Sequence, residues 1–179
     1  GTSPVLTDQY VIGTVMHGGE SGLIAFEKLS GEVAWKTARN YECYQEGDHS
    51  YTTPVVVGEG KDQRILASGA EHVTAHSAMD GKLLWSCAGF NPKARRNWTT
   101  VASPVVVDNK IVVPYGRGKH LTAIRLGGSG DVTETHRPWT RDNLGAFVPT
   151  LAVHEGSLYS VSDSGKIACI NPDTGEARW

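Results

Sequence analysis

The residues with the most chemistry in this chain are cationic and aromatic, and they come in two short runs. Arg95-Arg96-Asn97-Trp98 sets two guanidinium groups beside an indole. A guanidinium offers a rigid fork of donors to a carboxylate, and an aromatic face attracts cations and stacks on planar groups. Tyr115-Gly116-Arg117-Gly118-Lys119-His120 places glycines around an arginine, which suits recognition of an anion or carboxylate. Each run has a second reading: the first as a connection whose Trp98 caps the core while its arginines stay solvated, the second as a plain hairpin. Arg95, Arg96, Trp98, Tyr115, Arg117 and His120 are the candidate ligand-binding residues.

Other chemistry finds less support. His17, His49, His72 and His120, with Glu20, Glu71 and Asp163, are the right types for a metal, but they come from separate stretches without ligand spacing. No metal is expected. No Ser-His-Asp, HExxH, P-loop or GxGxxG pattern occurs, and the acidic residues are too scattered to nominate an acid–base pair. No catalytic residue is assigned and an enzyme is not expected. Cys43, Cys87 and Cys169 lie far apart, and their odd number argues against a disulfide framework. They are read as ordinary thiols, mostly buried. Asn97-Trp98-Thr99 fits a glycosylation sequon, a pattern common by chance.

The elements that must carry these residues follow from an internal repeat. Pro4, Pro54, Pro104 and Pro149 each precede an apolar run, and Trp35, Trp85, Trp139 and Trp179 follow them by 31, 31, 35 and 30 residues. Between Pro and Trp, each unit holds a second β-rich run (Tyr10-Val11-Ile12, Arg64-Ile65-Leu66-Ala67, Lys110-Ile111-Val112-Val113, Ser157-Leu158-Tyr159-Ser160-Val161). A third run carries a small residue (Ala25, Ala75, Ala123, and Cys169 beside Ala168), then a glycine turn (Gly31, Gly81, Gly130, Gly175) leads to the Trp. Alternation, β-branched content and Gly/Asp turns predict four short strands per unit, and no stretch keeps helical periodicity for three turns. Units of about 40–50 residues with four strands each predict an all-β β-propeller of four-stranded antiparallel blades. The blades are expected at about 3–36, 52–86, 102–140 and 147–179, in a single domain.

The tail of each unit resembles the tryptophan-docking motif of the pyrroloquinoline-quinone (PQQ)-like repeat. It stands here as Ala25-Phe26-Glu27-Lys28-Leu29-Ser30-Gly31-Glu32-Val33-Ala34-Trp35, again at 75–85, and as Ala168-Cys169-Ile170-Asn171-Pro172-Asp173-Thr174-Gly175-Glu176-Ala177-Arg178-Trp179. The third copy has a longer turn before Trp139, a variant similar to planctomycete-type PQQ-like domains. The resemblance covers the whole chain and extends to the propeller lipoprotein of outer-membrane barrel assembly. It implies that Trp35, Trp85, Trp139 and Trp179 wedge between neighbouring blades, each indole N–H meeting a carbonyl. It also implies a bacterial protein that is periplasmic or secreted.

In such blades, with strands A to D running outward, the B–C loops and the D-to-A connections share one face. The connections, at about 37–50, 86–101 and 140–147, are long, polar and aromatic-bearing, and the opposite face has short turns such as Asp108-Asn109 and Glu155-Gly156. Binding is expected on the long-loop face. Composition narrows the partner. A net charge of −2 and a pI of about 6.4 leave no basic field for a nucleic acid. No apolar run reaches the ~20 residues of a membrane helix, and no charged start followed by an apolar stretch marks a signal peptide.

The leading expectation is a non-catalytic scaffold or binding module for protein or peptide partners, with no cofactor. A part of a PQQ-dependent quinoprotein dehydrogenase, holding PQQ with Ca²⁺, and a carbohydrate- or polymer-binding propeller are the alternatives. Four blades also suggest part or half of a seven- or eight-bladed ring. It would be completed by the remaining blades of a longer parent chain or by a second copy in an eight-bladed homodimer.

Overall fold

The computed structural model describes residues 2–179. The chain forms four sheets in sequence order. The first is Val5–Leu6 (β1), Tyr10–Val15 (β2), Gly22–Glu27 (β3) and Val33–Ala38 (β4), an antiparallel meander in the order β1-β2-β3-β4. The second is Val55–Val57 (β5), Arg64–Gly69 (β6), His72–Ser77 (β7) and Leu83–Cys87 (β8). The third runs through Val105–Val107 (β9), Lys110–Tyr115 (β10) and His120–Arg125 (β11). It is interrupted by Gly130–Asp131 (β12) and closes with Trp139–Asp142 (β13). The fourth is Ala152–His154 (β14), Ser157–Val161 (β15) and Ile167–Ile170 (β16).

Repeated sequence gives repeated geometry. The register of β3 on β4 shifts between Ala25 and Phe26, and that of β7 on β8 shifts between Ala75 and His76. Gly31, Gly81 and Gly175 take φ of 73°, 72° and 72°, a left-handed turn in which a Cβ is strained. Their N–H groups donate to the carbonyls of Glu27, Ser77 and Asn171 at 3.0, 2.9 and 2.8 Å.

The sheets pack face to face in chain order. Ile12, Leu23 and Ala25 of the first meet Ile65 and Ala67 of the second. Leu66, Val73 and Trp85 meet Ile111, Val113 and Ile124 of the third. Leu121, Ala123 and Trp139 meet Leu158 and Ile170 of the fourth. Trp35 lies against the Gly81 turn, where an added Cβ would stand 2.6 Å from its ring, and Trp139 lies against the Gly175 turn at 2.5 Å.

The inner ends are joined by a ladder of hydroxyl groups. The Ser3 N–H donates to Thr53 Oγ1 (3.2 Å), Thr53 N–H to Ser103 Oγ (2.9 Å), and Ser103 N–H to Thr150 Oγ1 (3.2 Å).

Four details differ from the sequence expectation. Gly130-Asp131 is not a turn before Trp139: β12 crosses to the second sheet and pairs in parallel with Trp85–Ser86 of β8. The Val132 side chain that follows is buried in the shared core, which gives the insertion an anchor. The outer strand of the fourth sheet is reduced to a bridge between Ile170 and Ala177, with Cys169 N–H donating to the Trp179 carbonyl at 3.0 Å. Of the indole N–H groups, that of Trp139 donates to the Pro172 carbonyl at 2.9 Å, whereas those of Trp35 and Trp85 are buried without a partner. Strands β4, β8 and β13 run on to Ala38, Cys87 and Asp142, so the long connections begin later than their composition suggests.

A candidate binding rim of interlocked loops

The connections 39–54, 88–104 and 143–151 and the β2–β3, β6–β7, β10–β11 and β15–β16 loops meet on one rim. They are tied loop to loop. Asn97 N–H donates to the Gln45 carbonyl (3.0 Å) and Tyr51 N–H to the Thr100 carbonyl (2.9 Å), joining the first two connections. Arg117 donates through Nη1 to the Asn97 carbonyl (3.2 Å), and Asn143 N–H to the Lys119 carbonyl (2.6 Å). Asp163 accepts from the N–H groups of Phe147 (2.8 Å) and Val148 (3.2 Å).

Backbone strain gathers here. Of the nine non-glycine residues with positive φ among the described residues, seven (Glu46, Ala70, Glu71, Ala94, Asn97, Arg117, Asn143) are on this rim, and Asp108 and Glu155 sit in the short turns opposite. Such conformations cost on the order of 1–3 kcal/mol each and persist only where surroundings enforce them.

Of the six candidate binding residues, Arg95, Trp98, Tyr115 and His120 come together, and Arg96 and Arg117 flank them on neighbouring loops. Trp98 is only 7% exposed and donates through Nε1 to the Phe90 carbonyl at 2.7 Å. Its ring is 6.4 Å from His120, which stacks on Tyr115 at 4.9 Å; Tyr115 meets Phe90 edge-on at 5.0 Å. Tyr115 ends strand β10 and is buried, and burial raises its phenol above the ordinary range. Trp98 and Tyr115 therefore form a packed floor and offer little open face to a ligand. Of the cations, Arg95 lies above it and the others sit on separate rings. Arg95 is exposed with its guanidinium 5.6 Å from the Trp98 ring. Arg96 covers Tyr44 at 5.8 Å and donates to its hydroxyl at 3.3 Å. Arg117 covers Phe147 at 4.5 Å. His120 Nδ1 is 2.6 Å from Asp142 Oδ1.

A cavity of about 130 Å³ opens among Pro92, Lys93, Arg95, Trp98, Lys119 and His120. Wider clefts lie elsewhere, among them about 530 Å³ along the fourth sheet to Trp179, about 490 Å³ by the turn at Leu29 and about 420 Å³ against the first sheet. Sequence reading missed Lys93 and Lys119 as part of this constellation; their nearness to the Arg and Trp runs was the available signal. Glu71, considered from sequence only as a metal-ligand type, instead accepts from Asn91 Nδ2 at 2.7 Å and braces the loop.

His17, His49, His72 and His120 do not gather with Glu20, Glu71 and Asp163 into one site among the described residues. His72 stacks on Tyr41 at 3.8 Å and burial lowers its pKa. Among the described residues no three His, Cys, Asp or Glu side chains converge as metal ligands. No helix among them is long and apolar enough to cross a membrane.

Comparison with known proteins extends the likeness beyond the repeat. A PQQ-like family model described as outer membrane protein assembly factor BamB matches residues 1–179. No curated protein sequence matches the chain. Among solved structures, BamB from Moraxella catarrhalis is similar over 98% of this chain and 50% of its own, with a TM-score of 0.66 and 18% identity. Quinohemoprotein alcohol dehydrogenase from Comamonas testosteroni is similar over 99% of this chain and 34% of its own (TM-score 0.71, 15% identity). The computationally designed Ika4 protein is similar over 94% and 88% respectively (TM-score 0.60, 12% identity). The chain thus spans half the length of that BamB and about a third of that dehydrogenase. At these identities the structures establish a β-propeller fold.

Proposed function

The chain belongs to the PQQ-like family described as outer membrane protein assembly factor BamB, and from that membership we propose that it is a non-catalytic propeller module binding protein or peptide partners on its long-loop rim. The observation that carries this reading is the contrast between its two rims. One has short turns apart from the 126–138 insertion, which packs back onto the second sheet. The other has strained, interlocked connections that hold Arg95, Arg96 and Arg117 over aromatic rings on a rigid base. The reading requires no cofactor. The family description favours a periplasmic or secreted setting in a bacterium.

A displayed peptide library panned against the protein tests it. Enriched peptides should lose binding on Arg95→Ala or Arg117→Ala and keep it on Lys61→Ala or Lys82→Ala, which lie on the opposite rim. Absence of enrichment sinks the proposal. Stoichiometric uptake of PQQ with Ca²⁺ would favour part of a quinoprotein dehydrogenase instead, and selective retention on a glycan array a carbohydrate-binding propeller.

The reading extends to assembly. Trp179 is 67% exposed, and the Gly31 turn, alike in φ to Gly81 and Gly175, has open space above it. These are the two halves of the contact that Trp35 makes with Gly81 and Trp139 with Gly175. Two copies joined at both ends would supply both halves in an eight-bladed ring. Further blades of a longer chain would do the same.

A further inference from the structure

Lys93, Arg95 and Lys119 are exposed cations around one small cavity, and none has an acidic partner. The ion pairs among the described residues are Lys110–Asp173, His120–Asp142 and His154–Glu155. Asp142 and Glu71 stand at the cavity's edge on His120 (2.6 Å) and Asn91 (2.7 Å) and form no ion pair with the three cations, so an anion entering between them relieves their mutual repulsion as well as forming new bonds. The arrangement is built rather than loose. Asn91 Oδ1 accepts from the Arg95 N–H at 2.9 Å, and Asn91 Nδ2 donates to the Arg95 carbonyl at 2.9 Å and to Glu71 at 2.7 Å. Asn91 is itself buried. On the other side, the Lys119 N–H donates to the Gly116 carbonyl at 3.2 Å, and Lys119 accepts from Asn143. Ala94 and Arg117 hold φ of 44° and 54° to shape the two loops. The floor is Trp98, whose rigid, buried ring keeps water from one side of the cavity.

From this geometry we infer that the Lys93–Arg95–Lys119 cavity receives carboxylate side chains of an acidic segment in a protein partner. The inference rests on the protein-binding reading above and adds the chemistry of the bound group. A cavity of about 130 Å³ bordered by three cations suits a carboxylate-bearing side chain. Arg96 and Arg117 extend the positive field along the rim, so neighbouring acidic residues of the same segment would be attracted too. In a chain of net charge −2, the cavity gathers three cations on a rim that also carries Glu20, Glu42, Glu46, Asp48, Glu71 and Asp163.

The test uses a fluorescein-labelled oligo-glutamate peptide, with anisotropy as the readout. Binding should weaken steeply between low and physiological salt. Lys93→Glu with Lys119→Glu should weaken it about tenfold or more, with an unchanged circular dichroism spectrum. Lys61→Glu with Lys82→Glu, on the opposite rim, should leave it unchanged. Loss of binding in both double variants alike would mean unspecific charge attraction and overturn the inference. Equal or stronger competition by inorganic phosphate or a sulfated glycan of matched charge would overturn it as well. If panned peptides bind the rim but carry no acidic residues, the acidic-segment inference fails while the protein-binding reading stands.

Discussion

At the scale of single residues, the least expected side chain is Arg39. It is 2% exposed and lies between the first two sheets, with Nε donating to Thr74 Oγ1 and Nη2 to the His72 carbonyl, both at 2.9 Å. No carboxylate faces it among the described residues, and burial pulls its pKa down to about 10, so it remains charged at neutral pH. Arg39→Ala should cost about 2–4 kcal/mol, because it orphans buried acceptors and leaves a void; Arg39→Met should cost less, since it keeps volume and removes the charge. Urea midpoints measure both. His76 belongs to the same buried network. Its Nδ1 is 3.0 Å from the Gly81 carbonyl and its Nε2 3.0 Å from Thr74 Oγ1, and burial lowers its pKa to about 4. The folded state therefore binds fewer protons than the unfolded state between pH 4 and 6.5. Stability contributed by neutral His76 is complete above pH 6.5 and is lost as pH falls toward 4, by on the order of 3 kcal/mol. The urea midpoint should fall across that window and fall less in His76→Gln. Cys43 has the opposite sign. Burial and the nearby Glu71 and Asp48 carboxylates push its thiol up to about 12, so alkylation at pH 8 should be slower than for the same thiol in unfolded protein.

At the scale of elements, the glycine turns separate local strain from contact between sheets. Gly31 and Gly81 have nearly the same φ, so an Ala at either meets the same backbone penalty of about 1 kcal/mol. Only at Gly81 does the new methyl also strike the Trp35 ring. Gly81→Ala should therefore be destabilising by about 1–3 kcal/mol more than Gly31→Ala, measured by denaturation of each variant. The contrast explains why so much of the fold was legible in the sequence. Pro–Ala–Gly–Trp spacing reports strand pairing, because side chains alternate and each turn needs its glycine. What was not legible came from contacts between units. Gly130-Asp131 has the residues of a turn and becomes a strand because the edge of β8 offers it unpaired backbone. Arg39 reads as a solvated connection residue and is buried because the second sheet supplies Thr74 and the His72 carbonyl. Trp98 stood open to two readings. The structure gives it to the packed floor, with Arg95 above it.

At the scale of the whole molecule, the exposed Trp179 and the uncovered Gly31 turn give a concentration-dependent expectation. Light scattering behind size exclusion should find twice 19.2 kDa if two copies join, with Gly31→Ala shifting the balance toward monomer while preserving the fold. A monomer at all concentrations would remove the two-copy ring and leave additional blades as the means of covering both flanks. The sheets themselves set no limit on how many follow one another. Along the ladder from Ser3 through Thr53 and Ser103 to Thr150, each link is the same small exchange: one backbone N–H and one hydroxyl from the unit that follows. A joint made of interchangeable parts does not record its place in the series. Duplication or loss of a whole unit would leave the remaining links of this ladder chemically intact, whereas contacts private to one pair of units, such as Arg39 on Thr74 and β12 on β8, would have to be rebuilt.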